Sequence, residues 1–272
     1  MRKLAALALF LAALSPLSAQ FTLDFDTPGQ FSSYFSSEQE GPITQSATGG
    51  LNNSGAMDLS GLTGGMTAQQ IVTFNHGFSS QLSSWSTSVY YYGNIQNLWQ
   101  FGVTTAAAPA LVEAWAFANG SYLPAIWLEA GNNEGGAFAV SSYNGTDAPI
   151  YDTQFVSGGL STDVAWYHLT LDVSYTGGSH YDMHGTLTAA NADGSLGELL
   201  STSFLSIDNE GIASADTLYL YLNLFDGVVI DNFTTTTYSP TAIPEPSTYA
   251  AIFGAVALGA VVIARRRQAK QR

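Results

Sequence analysis

The chain has 272 residues, of which 21 are acidic and seven are basic, and it contains no cysteine. All seven basic residues lie at positions 2–3 or 265–272, so the long stretch between them carries no lysine or arginine. That stretch cannot neutralise a phosphate backbone, which excludes nucleic acid as a partner. Without cysteine there are no disulfides and no thiolate chemistry.

The N-terminus has the layout of a secretory signal peptide. Arg2 and Lys3 precede an apolar stretch over 4–14, and small residues follow up to Ala19. The layout predicts export through the secretion translocon and cleavage after Ala19, because the apolar stretch is too short to span a membrane. We therefore take 1–19 as the signal peptide and expect the folded domain to begin at residue 20.

Residues 20–233 are predicted to form an all-β domain. Short segments of alternating or β-forming residues are separated by clusters of Gly, Asn, Asp and Ser. The predicted strands are 21–26, 71–74, 86–92, 98–103, 122–128, 137–140, 165–173, 181–188, 217–224 and 228–233. Residues 31–68 are predicted to be rich in turns, and 111–118 to form a strand or a short helix. This pattern predicts a two-sheet antiparallel sandwich of the jelly-roll type.

The last part of the chain is predicted to leave the domain and reach a membrane. Residues 234–243 are expected to form an extended linker, and Pro244, Glu245 and Pro246 follow it. The apolar run 249–264 would form a transmembrane helix roughly 24 Å long. Arg265, Arg266 and Arg267 form a stop-transfer cluster that would stay in the cytoplasm. The alternative, a buried helix, agrees poorly with such a basic tail.

The order of these parts over 244–272 resembles the PEP-CTERM sorting signal of bacterial envelope proteins: the tripeptide, a short spanning helix and an arginine cluster. The resemblance implies that an exosortase-type membrane protease recognises the tripeptide and removes the helix. It also implies an inner-membrane-anchored precursor, a mature protein in the cell envelope or outside the cell, and an association with exopolysaccharide or biofilm.

The domain itself resembles the concanavalin A-like and laminin-G-like jelly rolls. The resemblance is carried by the strand 166–173 and by a Phe-Asp start at 25–26 paired with the end at 230–233. It implies that the first and last strands meet around a structural calcium ion, with Asp24, Asp26 and Asp231 as candidate ligands, because calcium binds six to eight oxygens. Three solvated strand-end aspartates are the alternative. Calcium is the cofactor that this resemblance suggests.

A second set of metal-binding residue types lies on one predicted strand. His180, Asp182 and His184 alternate, so their side chains share one face of the sheet. Two imidazoles and a carboxylate could hold a transition metal. A polar outer face of a sandwich strand explains the same pattern, and we favour that interpretation.

The sequence offers little support for catalysis. Glu129 and Glu134 lie five residues apart across a turn, and a glycosidase needs two carboxylates facing a cleft. The chain lacks the alternating Glu-Asp-Glu of the laminarinase-type sandwich enzymes, a nucleophile elbow and a His-Glu-x-x-His helix. We therefore predict no catalytic residues and a non-enzymatic protein.

Aromatic residues on the predicted strands suggest contact with sugars. Trp99 and Trp127, together with the tyrosines at 90–92, are candidate stacking platforms, although aromatic residues on strands more often belong to a core. The lack of cationic side chains indicates a neutral polysaccharide. The sequence thus predicts an exported, non-enzymatic envelope or matrix protein. A carbohydrate-binding module with a defined glycan ligand is the alternative, and a glycoside hydrolase or lyase is a more distant one.

Overall fold

The computed structural model describes residues 20–38, 43–59, 70–95, 98–107, 123–131, 137–145, 152–156, 163–224 and 227–238. The chain divides into two units, Met1–Tyr238 and Ser239–Arg272. The predicted signal peptide, the sorting motif, the membrane helix and the arginine cluster all lie outside the described residues and stay predictions. Within the described residues, no helix is long and apolar enough to cross a membrane.

The described part of the first unit consists of sixteen strands, two short α-helices and one 3-10 turn. The helices are α1 (Gln30–Tyr34) and α2 (Glu210–Ala213), and the 3-10 turn is Leu51–Asn53. The strands are β1 (Phe21–Leu23), β2 (Phe35–Glu38), β3 (Thr44–Ser46), β4 (Ala56–Asp58), β5 (Gln70–Phe74), β6 (Phe78–Ser79), β7 (Ser84–Asn94), β8 (Leu98–Thr104), β9 (Ala125–Gly131), β10 (Ala137–Tyr143), β11 (Asp152–Val156), β12 (Val164–Gly177), β13 (His180–Ala190), β14 (Leu196–Asp208), β15 (Thr217–Leu224) and β16 (Val229–Thr235).

The strands form two antiparallel sheets. The first sheet has the order β14-β13-β12-β7-β16-β4-β3, and β1 pairs with β16. The second sheet has the order β11-β10-β9-β8-β15-β5-β2, and β6 pairs with β15. The predicted all-β, two-sheet antiparallel sandwich is therefore confirmed.

Alternating side chains place the core between the two sheets. On β12, Leu169, Leu171 and Val173 point inward and are at most 1% exposed, whereas His168 and Thr170 point outward. Inward-facing residues of the second sheet, among them Phe101, Val103, Ile126, Leu128, Phe138 and Val140, join the same core. Because successive side chains of a strand point to opposite faces, each sheet also presents an outer face that has its own chemistry.

The first and last strands meet, and the domain extends beyond its predicted end. Leu23 on β1 lies opposite Phe233 on β16. Beyond Phe233, Thr235 is buried, the Thr236 N–H donates to the Ser86 carbonyl over 3.0 Å, and the Tyr238 ring stacks on His76 with centroids 4.0 Å apart. The predicted linker therefore begins too early, because the threonine run has the β propensity to continue the strand.

Other differences are local. The first strand ends at Leu23, before the predicted end at 26, because Phe25 adopts a left-handed backbone with φ of 56°. The segment predicted to be rich in turns contains α1 and the short strands β2, β3 and β4. The long strand β14 is absent from the sequence prediction. The 111–118 segment lies outside the described residues.

Candidate functional site

The outer face of the second sheet carries buried polar and aromatic side chains. We call the following set the polar cluster: Gln100 and Thr104 on β8, Trp127 and Glu129 on β9, Ser141 on β10, and Tyr221 and Asn223 on β15. Each alternates with core residues of its strand, so the set lies on the face opposite the core. Glu129 is half-buried and the other six are buried. A buried polar set of this size needs internal partners or a ligand.

Strand register brings these residues together. Tyr221 lies opposite Gly102, Gly102 opposite Trp127, and Trp127 opposite Ser141, so one row crosses four strands. Asn223 lies opposite Gln100 in the next row. A Cβ atom at position 102 would collide with the backbone of β9 and with the Cβ of Trp127. Glycine at this position therefore allows the close approach of β8 and β9 beneath the cluster.

Glu129 is held by two neutral donors. The Trp127 indole N–H donates to Oε2 over 2.8 Å, and the Ser141 hydroxyl donates to Oε1 over 2.9 Å. Burial raises the pKa of Glu129, and the hydrogen bonds from Trp127 and Ser141 offset part of that increase. The carboxylate is thus desolvated without a cationic partner, since residues 4–264 contain no lysine or arginine.

Tyr221 supplies a phenol beside this carboxylate. Its hydroxyl donates to Gln100 Oε1 over 3.2 Å. Burial raises the pKa of Tyr221 well above its ordinary value, and the negative charge of Glu129 raises it further. Tyr221 therefore stays protonated and acts as a hydrogen-bond donor across the physiological pH range.

Two oxygen atoms of the cluster have no hydrogen-bond partner in the described part of the chain. They are Asn223 Oδ1 and Thr104 Oγ1, and both are buried. An unpaired buried polar group costs roughly 1–3 kcal/mol, so such groups usually mark a place for water or a ligand. The cluster therefore combines a carboxylate, a phenol and unpaired acceptors, which suits a ligand rich in hydroxyl groups.

Of the two tryptophans predicted to stack on sugars, only Trp127 has a described side chain, and it is buried. Trp127 is only 1% exposed and packs with Ile71, Ala125, Tyr143 and Tyr221, so it positions Glu129 and is not an exposed platform. The side chain of Trp99 and the whole of Glu134 lie outside the described residues. Trp127 and Glu129 stand out in the sequence, but their partners on β8, β10 and β15 do not. The sequence feature that indicates Tyr221 and Asn223 is the alternation of Leu with Tyr and Asn over 218–223, which places both on one face of the strand.

Two of the aspartates predicted to bind calcium accept hydrogen bonds from the loop that carries Leu51 and Gly55. Asp231 is buried, and its Oδ2 accepts the Leu51 N–H over 2.8 Å and the Ser54 hydroxyl over 2.9 Å, while Oδ1 accepts the Asn232 N–H. Asp26 Oδ1 accepts the Gly55 N–H over 2.7 Å. These bonds attach the loop that carries Leu51 and Gly55 to β16 and to the turn after β1. Burial raises the pKa of Asp231, and its three donors lower it in part.

The donors around Asp231 do not suit a cation. Both of its oxygens face N–H or O–H groups, whose positive ends would repel calcium. Asp24 is exposed, and its Oδ1 accepts the Asp26 N–H over 3.2 Å. Among the described residues, no three His, Cys, Asp or Glu side chains come together as a metal site. Calcium binding by Asp24, Asp26 and Asp231 together stays a prediction.

His180, the first of the two alternating histidines, forms hydrogen bonds on the outer face of the first sheet. His180 Nδ1 lies 3.0 Å from Asp208 Oδ1, and its Nε2 lies 3.0 Å from the Ser206 hydroxyl. The same hydroxyl donates to Asp182 over 2.6 Å. His184 is exposed. This arrangement is a surface network that links β13 to β14.

Several solved structures are similar to this domain. A legume lectin-like domain from Entamoeba histolytica is 12% identical, with 82% of this chain and 97% of that chain covered and a TM-score of 0.50. The carbohydrate recognition domain of Emp46p is 9% identical, covering 81% and 97%, with a TM-score of 0.49. Alginate lyase vAL-1 from Chlorella virus is 9% identical, covering 80% and 99%, with a TM-score of 0.47. No protein-family model and no curated protein matches the sequence.

At these identities the comparison establishes the fold alone. The described domain is a β-sandwich of the legume-lectin, concanavalin A-like kind, as the resemblance in the sequence implied. The class of ligand must be inferred from the residues of this chain.

Replacing Asp231 by Ala should lower the free energy of unfolding by about 2–5 kcal/mol, because the Leu51 and Asn232 N–H groups lose their acceptor. Urea denaturation measures the change. Asp24→Asn, an exposed control, should change it by less than about 0.5 kcal/mol. Adding EDTA should leave the thermal midpoint of the unmodified chain unchanged. A midpoint that falls with EDTA and recovers with calcium would contradict our interpretation of Asp231.

Replacing Glu129 by Gln should change how stability depends on pH. Burial raises the folded-state pKa of Glu129, so wild-type stability falls as pH rises from the unfolded pKa, about 4.3, through the folded value. The amide that replaces the carboxylate keeps an oxygen for Trp127 and a donor for Ser141 but does not ionise. The variant should therefore gain stability relative to wild type between pH 4 and pH 8, measured by urea denaturation at each pH. Parallel curves for the two proteins would rule out a raised pKa at Glu129.

Proposed function

We propose that the chain is an exported, non-enzymatic, glycan-binding β-sandwich of a bacterial cell envelope or extracellular matrix. The observation that carries the proposal is the polar cluster with its two buried, unpaired acceptors, Asn223 Oδ1 and Thr104 Oγ1. Sugar hydroxyls donate and accept, so they can pair with unpaired oxygens, with the Glu129 carboxylate and with amide groups. The fold, shared with a legume lectin-like domain, is consistent with this use.

The charge of the chain restricts the glycan to neutral sugars. Residues 4–264 contain no lysine or arginine, while 21 acidic residues give the chain a net charge of −14. A uronate or sulfate group would meet the carboxylate of Glu129 with no cation to compensate, and that repulsion is strong in a desolvated site. A neutral polysaccharide, such as an exopolysaccharide of the matrix, is the class of ligand that suits the site.

The same charge argument disfavours a lyase. A polysaccharide lyase that acts on uronates has to stabilise negative charge that develops beside a carboxylate, and a cationic side chain is the direct means of doing so. For a hydrolase, Glu129 would need a second carboxylate across the substrate. Glu134, the partner considered from the sequence, lies outside the described residues, so hydrolysis stays an outcome that the binding experiment should test.

The termini complete the proposal. The secretion translocon exports the chain by its signal peptide, and the apolar run 249–264 holds the precursor in the inner membrane. An exosortase-type protease then acts at Pro244, Glu245 and Pro246. The resemblance of 244–272 to the PEP-CTERM signal supports this route, and it connects the protein with exopolysaccharide and biofilm.

Affinity electrophoresis of the full chain tests glycan binding. The gels contain neutral dextran, mannan or galactan, or anionic alginate or hyaluronan. At least one neutral polymer should retard the protein, and neither anionic polymer should. Asn223→Ala removes an unpaired acceptor, so it should leave stability unchanged or raised while weakening binding about tenfold.

Gln81→Ala, an exposed change between β6 and β7, is the matched control and should bind like wild type. Retardation only by the anionic polymers, or equal binding by Asn223→Ala and wild type, would overturn the assignment of the cluster. Release of reducing ends from a bound polymer, lost in Glu129→Gln, would replace the non-enzymatic proposal with a hydrolase.

Intact-mass measurement on protein from its native host tests the sorting route. We expect a mature form in the medium or matrix that starts near residue 20 and ends near Pro244–Glu245–Pro246. Substituting Ala for all three residues of the tripeptide should keep the full-length C-terminus in the membrane fraction. A full-length C-terminus found only in membranes of the unmodified strain would mean a tail-anchored envelope protein instead.

A further inference from the structure

A row of hydroxyl side chains crosses the outer face of the first sheet. Each member lies directly opposite the next in the strand register, over six neighbouring strands. In spatial order, the hydroxyl row is Thr22 on β1, Thr234 on β16, Ser88 on β7, Thr170 on β12, Thr186 on β13 and Thr202 on β14. Neighbouring strands are about 4.8 Å apart, so the row extends over roughly 24 Å.

The hydroxyl row faces away from the core and is accessible. The neighbours of its members along the strands, such as Val89, Leu169 and Leu187, are fully buried in the core. Thr22 and Thr202 are exposed and the other four members are half-buried. Thr22 and Thr234 bond to each other over 3.0 Å.

Four consecutive members of the row keep free hydroxyl groups. Ser88, Thr170, Thr186 and Thr202 form no side-chain hydrogen bond with the part of the chain that the structure describes. A hydroxyl group both donates and accepts. Four such groups at the strand spacing therefore offer a repeating set of hydrogen-bonding positions along a line.

Aromatic rings lie in the next two rows of residues on one side of the hydroxyl row. Tyr90 packs against His168 with ring centroids 4.6 Å apart, and Tyr92 packs against Trp166 at 5.2 Å. Tyr92 is 37% exposed. Tyr90 is half-buried and lies in the row that adjoins the hydroxyl row, where an aromatic ring can contact the apolar face of a sugar whose hydroxyls pair with the row.

The charge and shape of this face select one class of ligand. No cationic side chain other than histidine occurs between residues 4 and 264, whereas Asp172 and Asp182 lie in the rows on the other side of the hydroxyl row. An anionic polymer would therefore be repelled. The hydroxyls are spread across six strands and are not gathered in a pocket, so they match a long ligand better than a single sugar.

We propose that the outer face of the first sheet binds one extended, neutral polysaccharide chain that runs across the strands along the hydroxyl row. Ser88, Thr170, Thr186 and Thr202 hydrogen-bond to successive sugar units, and Tyr90 in the adjoining row lies beside the chain. This surface lies on the opposite side of the sandwich from the polar cluster, so it goes beyond the proposed function and does not depend on it.

Co-sedimentation of the full chain with amorphous cellulose and with chitin powder tests this inference. Both probes are neutral, extended polysaccharides. The unmodified protein should bind at least one of them. The double variant Thr170→Val, Thr186→Val keeps the shape and β propensity of both residues but removes two free hydroxyls, so its affinity should fall about tenfold.

Thr176→Val, the same substitution outside the row near the end of β12, should bind like wild type. Tyr92→Ser changes an exposed ring two rows away from the hydroxyl row and should also bind like wild type. Failure of the unmodified chain to bind either probe, or wild-type affinity in the double variant, overturns the inference.

A variant of the polar cluster distinguishes binding at the hydroxyl row from binding at the site of the proposed function. Asn223→Ala should leave binding to cellulose or chitin intact if the hydroxyl row is the site. If Asn223→Ala abolishes this binding and the double variant does not, the polymer binds at the polar cluster: the proposed function then stands and the hydroxyl row is not a binding site.

Discussion

The central constraint on this domain is that its buried carboxylates have no cation to pair with. Burial of an unpaired charge is costly, and the chain meets the cost with N–H and O–H donors from its own strands and loops. Asp231 accepts two backbone N–H groups and one hydroxyl. Glu129 accepts an indole N–H and a hydroxyl. Hydrogen bonds from neutral donors to a buried carboxylate thus attach a loop to the first sheet and organise the candidate site on the second. Both carboxylates retain a raised pKa because they are buried.

Much of the architecture could be predicted from alternation alone. The strand predicted over 217–224 coincides with β15, and 165–173 lies within β12, because both have one clearly apolar face. The edge strand β14 was missed for the opposite reason. Its Leu196, Leu199 and Phe204 are more than half exposed. An edge strand has a neighbour on one side only, so its apolar residues need not follow the burial pattern that makes a strand recognisable.

The candidate site was harder to predict because it depends on strand order. Tyr221 and Gln100 are 121 residues apart in the chain, yet they form a hydrogen bond because β15 lies beside β8 in the second sheet. Alternation shows which residues share a face of one strand, but it cannot show which strands are neighbours. For the same reason the sequence could not show that Trp127 is buried. It places Trp127 on a strand, and only the packing shows that its outer side is covered.

The back-to-back arrangement of the two sheets has a consequence for valency. The polar cluster and the hydroxyl row lie on faces that point in opposite directions, with the core between them. A domain that engaged one polysaccharide chain on each side would join the two chains at a distance close to its own thickness. Such a protein would act on a matrix as a cross-link, and the stiffness of the network would depend on the number of these junctions as well as on the strength of each one.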